Sequence, residues 1–95
     1  MTGELLIPRD RLHAMYVASF EELNIKKETL ATLAGQGVYS VSTVNSIQAK
    51  IKGRKGKMPT KADVSWLKAL VALKRLGFDI AKITFDENGD IVLAR

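Results

Sequence analysis

Ninety-five residues with an ordinary apolar share of 46% suit one folded domain and leave no room for a second core. The chain has no Cys and one His, which excludes a disulfide framework, a thiolate metal site, a Cys nucleophile and a multi-His centre. The net charge of +5 is uneven: residues 1–49 hold four basic and five acidic side chains, residues 50–95 eleven and five, so the second half alone carries +6, the sign that attracts a polyanion.

In chain order, Leu5-Leu6-Ile7 is a short apolar run, read as an edge strand or a packed tail and stopped by Pro8, which presets φ for a helix start. The N-terminus has no basic n-region or long apolar run, and nothing approaches the roughly 18–20 apolar residues of a membrane span. This predicts no signal peptide, no membrane partner and a cytoplasmic location. From Asp10 to Leu23 the steps Leu12, Met15, Tyr16, Ser19 (a gap), Phe20 and Leu23 predict a helix with one inward face. His13 lies off that stripe and is expected to be exposed or hydrogen-bonded. Asn24 breaks the helix and Ile25 turns back to the core. Lys26–Ala34 predicts a second helix with Leu30, Leu33 and Ala34 inward, ended by Gly35 as a left-handed C′ residue.

Ser40 or Ser42 can cap a third helix that shows Val41, Val44, Ile47 and Ile51 to the core. Its other face then carries Ser42, Thr43, Asn45, Ser46, Gln48 and Ala49, short groups that can be solvated or can approach base edges closely. Lys50, Lys52, Arg54, Lys55, Lys57 and Lys61 fall within twelve residues with no acid among them. Gly53 and Gly56 frame the core of that cluster, Lys52–Lys57, as a two-strand wing or a disordered loop. Thr60-Lys61-Ala62-Asp63 is a capping box that opens a fourth helix, with Val64, Trp66, Leu67, Leu70, Val71, Leu73 and Leu76 on a wide apolar face and Trp66 as its main anchor. Lys74 and Arg75 suit the negative end of the dipole, Gly77 ends the helix, and Phe78 folds back on it. In Ile83–Arg95, Asn88-Gly89 predicts a type I′ hairpin with Phe85 opposite Val92. Such a hairpin is marginal alone and must pack on the helices, on Leu5–Ile7, or on a second copy.

The expected fold is mainly α: one domain over 1–95, a helix-turn-helix bundle of four to five helices over 12–78, with a C-terminal β-hairpin over 83–95 as a possible dimerisation element. Leu30-Ala31, Ala34-Gly35, Val38, Ser40, Ser42-Thr43-Val44 and Ile47 resemble a helix-turn-helix of the lambda-repressor type over residues 12–76, with a turn about two residues longer at Gln36-Gly37 and a longer basic connection. Thr60, Asp63-Val64, Leu67, Leu70, Leu73, Gly77-Phe78 and Ile83 are also similar to the second half of a MerR-type winged helix over 60–83, in which Lys52–Lys57 would be the wing. The Arg-Tyr-Tyr run and the long coiled coil of that family are absent.

Both resemblances imply a small transcriptional regulator of bacterial, phage or plasmid type that binds double-stranded DNA as a homodimer. Lys50, Lys52, Arg54, Lys55 and Lys57 are then the phosphate contacts; roughly four of them engaged would give a salt slope near −3.6. Tyr39, Ser40, Ser42, Thr43, Asn45, Ser46 and Gln48 are the candidates for base edges or close backbone contacts, and Lys26 and Lys27 can touch backbone at the start of the second helix. The rival reading is a small module that binds and inhibits a host or partner protein. RNA binding lacks an exposed aromatic platform. No cofactor or metal is expected. An enzyme is not expected either, because the single His has no plausible nucleophile and the basic loop lacks the phosphate-cradle spacing.

Overall fold

A computed structural model describes residues 8–95; Leu5-Leu6-Ile7 lies outside the described residues. Helices α1 (Arg9–Leu23), α2 (Lys27–Ala34), α3 (Val41–Lys52) and α4 (Lys61–Arg75) are followed by a 3-10 turn at Ile80–Lys82 and a hairpin of β1 (Thr84–Phe85) and β2 (Ile91–Val92). The fold is mainly helical with a small antiparallel hairpin, as the pattern predicts. Helix α1 lies along α4 and touches α3, while α2 packs on α3. Among the described residues, no helix is long and apolar enough to cross a membrane.

The core is built from the expected stripes. Leu12, Tyr16 and Leu23 of α1 meet Leu30, Ala31 and Leu33 of α2, Ile47 of α3, and Val64, Leu67, Leu70 and Val71 of α4, closed at one end by Ile80 and Ile83. Ser19 is buried within the α1 stripe, and no buried side-chain nitrogen or oxygen of the described residues lacks a partner. Three inward positions of α2 and α4 differ from expectation. In α2, Ala31 is buried, whereas Ala34, the last residue of the helix, is exposed. In α4, Leu67 is the fully buried anchor, whereas Trp66 is half-buried at the margin and Leu76, past the helix end, is exposed.

The helix ends carry the folding information. Asn24 takes the left-handed conformation after α1. After α2 that role falls to Gln36 (φ 53°), not Gly35, whose φ is −89°. The Gly37 N–H donates to Thr32 O at 2.8 Å and the Gln36 N–H to Leu33 O at 3.1 Å, a Schellman pattern shifted one residue along. Gly35 is needed for a different reason: a Cβ there would run into the Val38 carbonyl. Thr60 and Asp63 form both bonds of the capping box, the Thr60 N–H donating to Asp63 Oδ2 at 2.8 Å and the Asp63 N–H to Thr60 Oγ1 at 3.2 Å. The shorter Asp therefore closes the box as Glu would.

Lys74 and Arg75 serve the end of α1 as well as their own helix. Lys74 Nζ donates to the Glu22 and Leu23 carbonyls at 2.5 and 3.2 Å, and Arg75 grips the Glu22 carboxylate at 2.7 and 2.8 Å. Phe78 folds back as expected, its N–H donating to Leu73 O at 3.2 Å, and Arg95 stacks over its ring at 4.4 Å. The hairpin register is shifted from the expected one: Phe85 faces Ile91 and Thr84 faces Val92. Asp86 Oδ1 accepts from the Asn88 and Asp90 N–H groups at 2.9 Å each, which holds a three-residue loop, Glu87-Asn88-Gly89. Only Gly89 has positive φ (81°), so the turn is of the bulged three-residue kind rather than type I′.

Candidate nucleic-acid interface

Ser40 caps α3, its Oγ accepting from the Thr43 N–H at 3.4 Å. From that start the helix presents Ser42, Asn45 and Ser46 to solvent, with Thr43 and Gln48 half-buried at the two borders. Two residues exchange the sides expected of them. Val41 is 61% exposed, and Ala49 is buried. The steps Val41, Val44, Ile47 drift by about 60° each on a helix of 3.6 residues per turn, so Val41 sits about 120° away from Ile47. That phase was legible, and it removes Val41 from the core. Ala49 lies near the end of α3, where the chain doubles back and the Arg54 N–H donates to its carbonyl.

That return is tightly fastened. Gly53 is left-handed (φ 68°), and the N–H of Gly53 and of Arg54 donate to Lys50 O and Ala49 O at 3.2 Å each. His13 of α1 bonds through Nε2 to the Ile51 carbonyl at 2.8 Å and lies against Gly53, where a Cβ would come within 2.9 Å of the ring. The off-stripe histidine is thus hydrogen-bonded at the end of α3. Lys52–Lys57 is neither strand nor wing: it runs through turns, with the Lys57 N–H donating to Arg54 O at 2.9 Å. Two glycines in left-handed conformations, Gly53 and Gly56, interrupt the extended backbone a wing would need.

The cations divide. Lys50 Nζ pairs with Asp63 Oδ1 at 3.0 Å, and both side chains are three-quarters buried. Burial pushes the Asp63 carboxyl upward, but the Thr60 N–H, the Lys50 ammonium and the Thr60 hydroxyl outweigh it and hold the group below its ordinary range. Burial, and secondarily the Asp63 charge, pushes the Tyr16 hydroxyl up to about 12, so this phenol stays neutral beneath α3. Lys52, Arg54, Lys55 and Lys57 are exposed, and none forms an ion pair among the described residues. Lys26 is exposed just ahead of α2 and Lys27 is half-buried at its first residue. Tyr39 is exposed in the turn before α3, beside Val38, which is not among the contacts expected from the sequence.

The structure therefore joins Ser42, Asn45 and Ser46 with four cations at the far end of the same helix that form no ion pair among the described residues, and it ties Lys50 into the scaffold. No protein-family model, curated protein or solved structure matches the chain.

Proposed function

We propose that this protein binds double-stranded DNA as a small cytoplasmic transcriptional regulator, with α3 in the major groove and Lys52–Lys57 on the backbone. The observation that carries the reading is the open polar face of α3 running directly into four cations without carboxylate partners among the described residues. A protein interior or a solvated surface ordinarily interleaves both signs; a one-sign field beside a small-residue helix suits phosphate and base edges together. The packing of α2 on α3 and the Pro59-Thr60 start of α4 support the lambda-repressor-like resemblance. The absence of strands in Lys52–Lys57 removes the wing that the MerR-like one would require.

One such module covers little DNA, so two copies on paired half-sites are the functional unit. The hairpin is the element proposed to join them: Ile91 and Val92 of its second strand and Leu93 just after it stay 40–50% exposed, and among the described residues no further strand pairs with its two. The rival reading, a module that binds another protein, draws support from the shallow groove of about 430 Å³ beside Leu33, Trp66, Phe85 and Ile91. The wide apolar face of α4 lends it little further support, since Val64, Leu67, Leu70 and Val71 are consumed by the core.

The test is a fluorescence-anisotropy titration against duplexes selected from a randomised pool. Binding should weaken with salt at a slope near −3.6 if all four free cations meet phosphate. Binding that ignores salt, or none at about 100 µM protein in 50 mM salt, overturns the proposal.

A further inference from the structure

We infer that the N-terminal end of α3 reads thymine, with Val38 and Val41, on either side of Tyr39 in that turn, receiving 5-methyl groups on the floor of the major groove. The inference rests on the DNA-binding reading above and names what that site selects. Val38, Tyr39 and Val41 are 69%, 51% and 61% exposed, three large apolar groups within four residues. The local fold keeps them outside. Val41 is rotated away from Ile47, and the left-handed Gln36 with the close approach of Val38 to Gly35 carries the turn outward.

Their position on the helix matters more than their exposure. At about 100° per residue, Lys52 lies about 20° and Asn45 about 40° from Val41, with Ser42 and Ser46 on the flank. One stripe therefore runs apolar, amide, cation over about 16 Å of helix. Residues 29–62 hold six basic side chains and no acidic one. A partner for this stripe must offer apolar contact at one end and anionic contact at the other. DNA does so where a helix enters N-terminus first: phosphates line the groove walls, and the thymine methyl is the one apolar group that its base pairs present there. An acidic protein could satisfy the charge but has no reason to distinguish thymine from uracil.

The test takes the duplex selected by the wild-type protein and replaces each thymine in turn by deoxyuridine, which removes one methyl and no hydrogen-bonding group. Wild type should bind about fourfold more weakly at the one or two sensitive positions, the loss set by a methyl withdrawn from an apolar contact. The double variant Val38→Ser, Val41→Ser should bind thymine and deoxyuridine duplexes equally, whereas Val41→Thr, which keeps a methyl, should retain part of the preference. Both valines are exposed, so an unchanged thermal melt is expected of each variant. Equal binding of the two duplexes by wild type, or a preference that survives in the double variant, overturns the inference and leaves DNA binding standing. Failure to select any duplex overturns both.

Discussion

Lys50, Lys74 and Arg75 make a useful contrast with Lys52, Arg54, Lys55 and Lys57. Each of the first three is bonded within the domain: Lys50 to Asp63, Lys74 to the carbonyl end of α1, Arg75 to Glu22. The other four, a few residues from Lys50 in the chain, have no ion pair among the described residues. Cations of one sequence cluster thus divide into fasteners and free charge according to what the fold brings opposite them. Reversing the free set gives the largest predicted effect. Lys52→Glu, Arg54→Glu and Lys55→Glu together should lower DNA affinity by on the order of 100-fold or more, because three phosphate attractions become repulsions. The melting midpoint should stay at the wild-type value, because no bond inside the domain is lost. A parallel fall in stability would break the division at once.

The fasteners predict the opposite pattern. Asp63→Ala removes half of the α4 capping box and leaves Lys50 partly buried without its partner, at a combined cost of about 2 kcal/mol. For a domain of this size the melt should move down by about 10 °C. The same carboxylate gives the contrast a pH signature. Its ionisation lies below the ordinary 3.8, so its contribution is fully present above that pH and is lost as pH falls through the lowered value. Asp63→Asn should flatten that acid limb in urea titrations taken from pH 6 down to pH 2. An unchanged limb would mean that Asp63 is not held by Thr60 and Lys50 in solution.

Lys50 offers the sharper discrimination, since residue order alone places it with the phosphate contacts. Lys50→Met keeps the aliphatic bulk and removes the ammonium, at a cost of about 1 kcal/mol. The salt slope of DNA binding should not change, whereas Arg54→Met should make it shallower by about 0.9. A shallower slope in Lys50→Met would return this residue to the DNA face.

The same contrast marks what could be read in advance. Local signals were legible: the Ser40 and Thr60 caps, the Asn24 break and the apolar steps of α1 and α4 all depend on residues within one or two helical turns. The misplaced features depend on closer phase or on distant partners. Val41 required the helical drift to be followed across two steps. Phe85 opposes Ile91 rather than Val92 because the Asp86 carboxylate holds a loop one residue longer than Asn88-Gly89 suggests. Lys50 meets Asp63 across a loop whose path no spacing rule specifies, and Gln36 accepts a left-handed conformation because Gly35 is committed to the Val38 carbonyl. Open polar positions on α3 were legible at Ser42, Asn45 and Ser46, and less so at Thr43 and Gln48, where neighbouring elements decide the burial.

Arg75 gives the smallest expected effect and tests whether a bonded cation is always a fastener. Its two hydrogen bonds to Glu22 are short, and the Arg75 bond is the chief cause that holds the Glu22 carboxyl below its ordinary range. Yet both side chains stand largely in water, at 69% and 42% exposure, where solvent screening and side-chain entropy cancel most of the attraction. Arg75→Met should therefore melt indistinguishably from wild type at physiological salt. Lys74→Met should melt lower, because two carbonyls at the end of α1 lose their donor. Were Arg75→Met to cost as much as Lys50→Met, burial would not be what separates a fastening pair from a decorative one. The three-quarters-buried setting of Lys50 and Asp63 would then lose its place as the reason that pair holds α3 to α4.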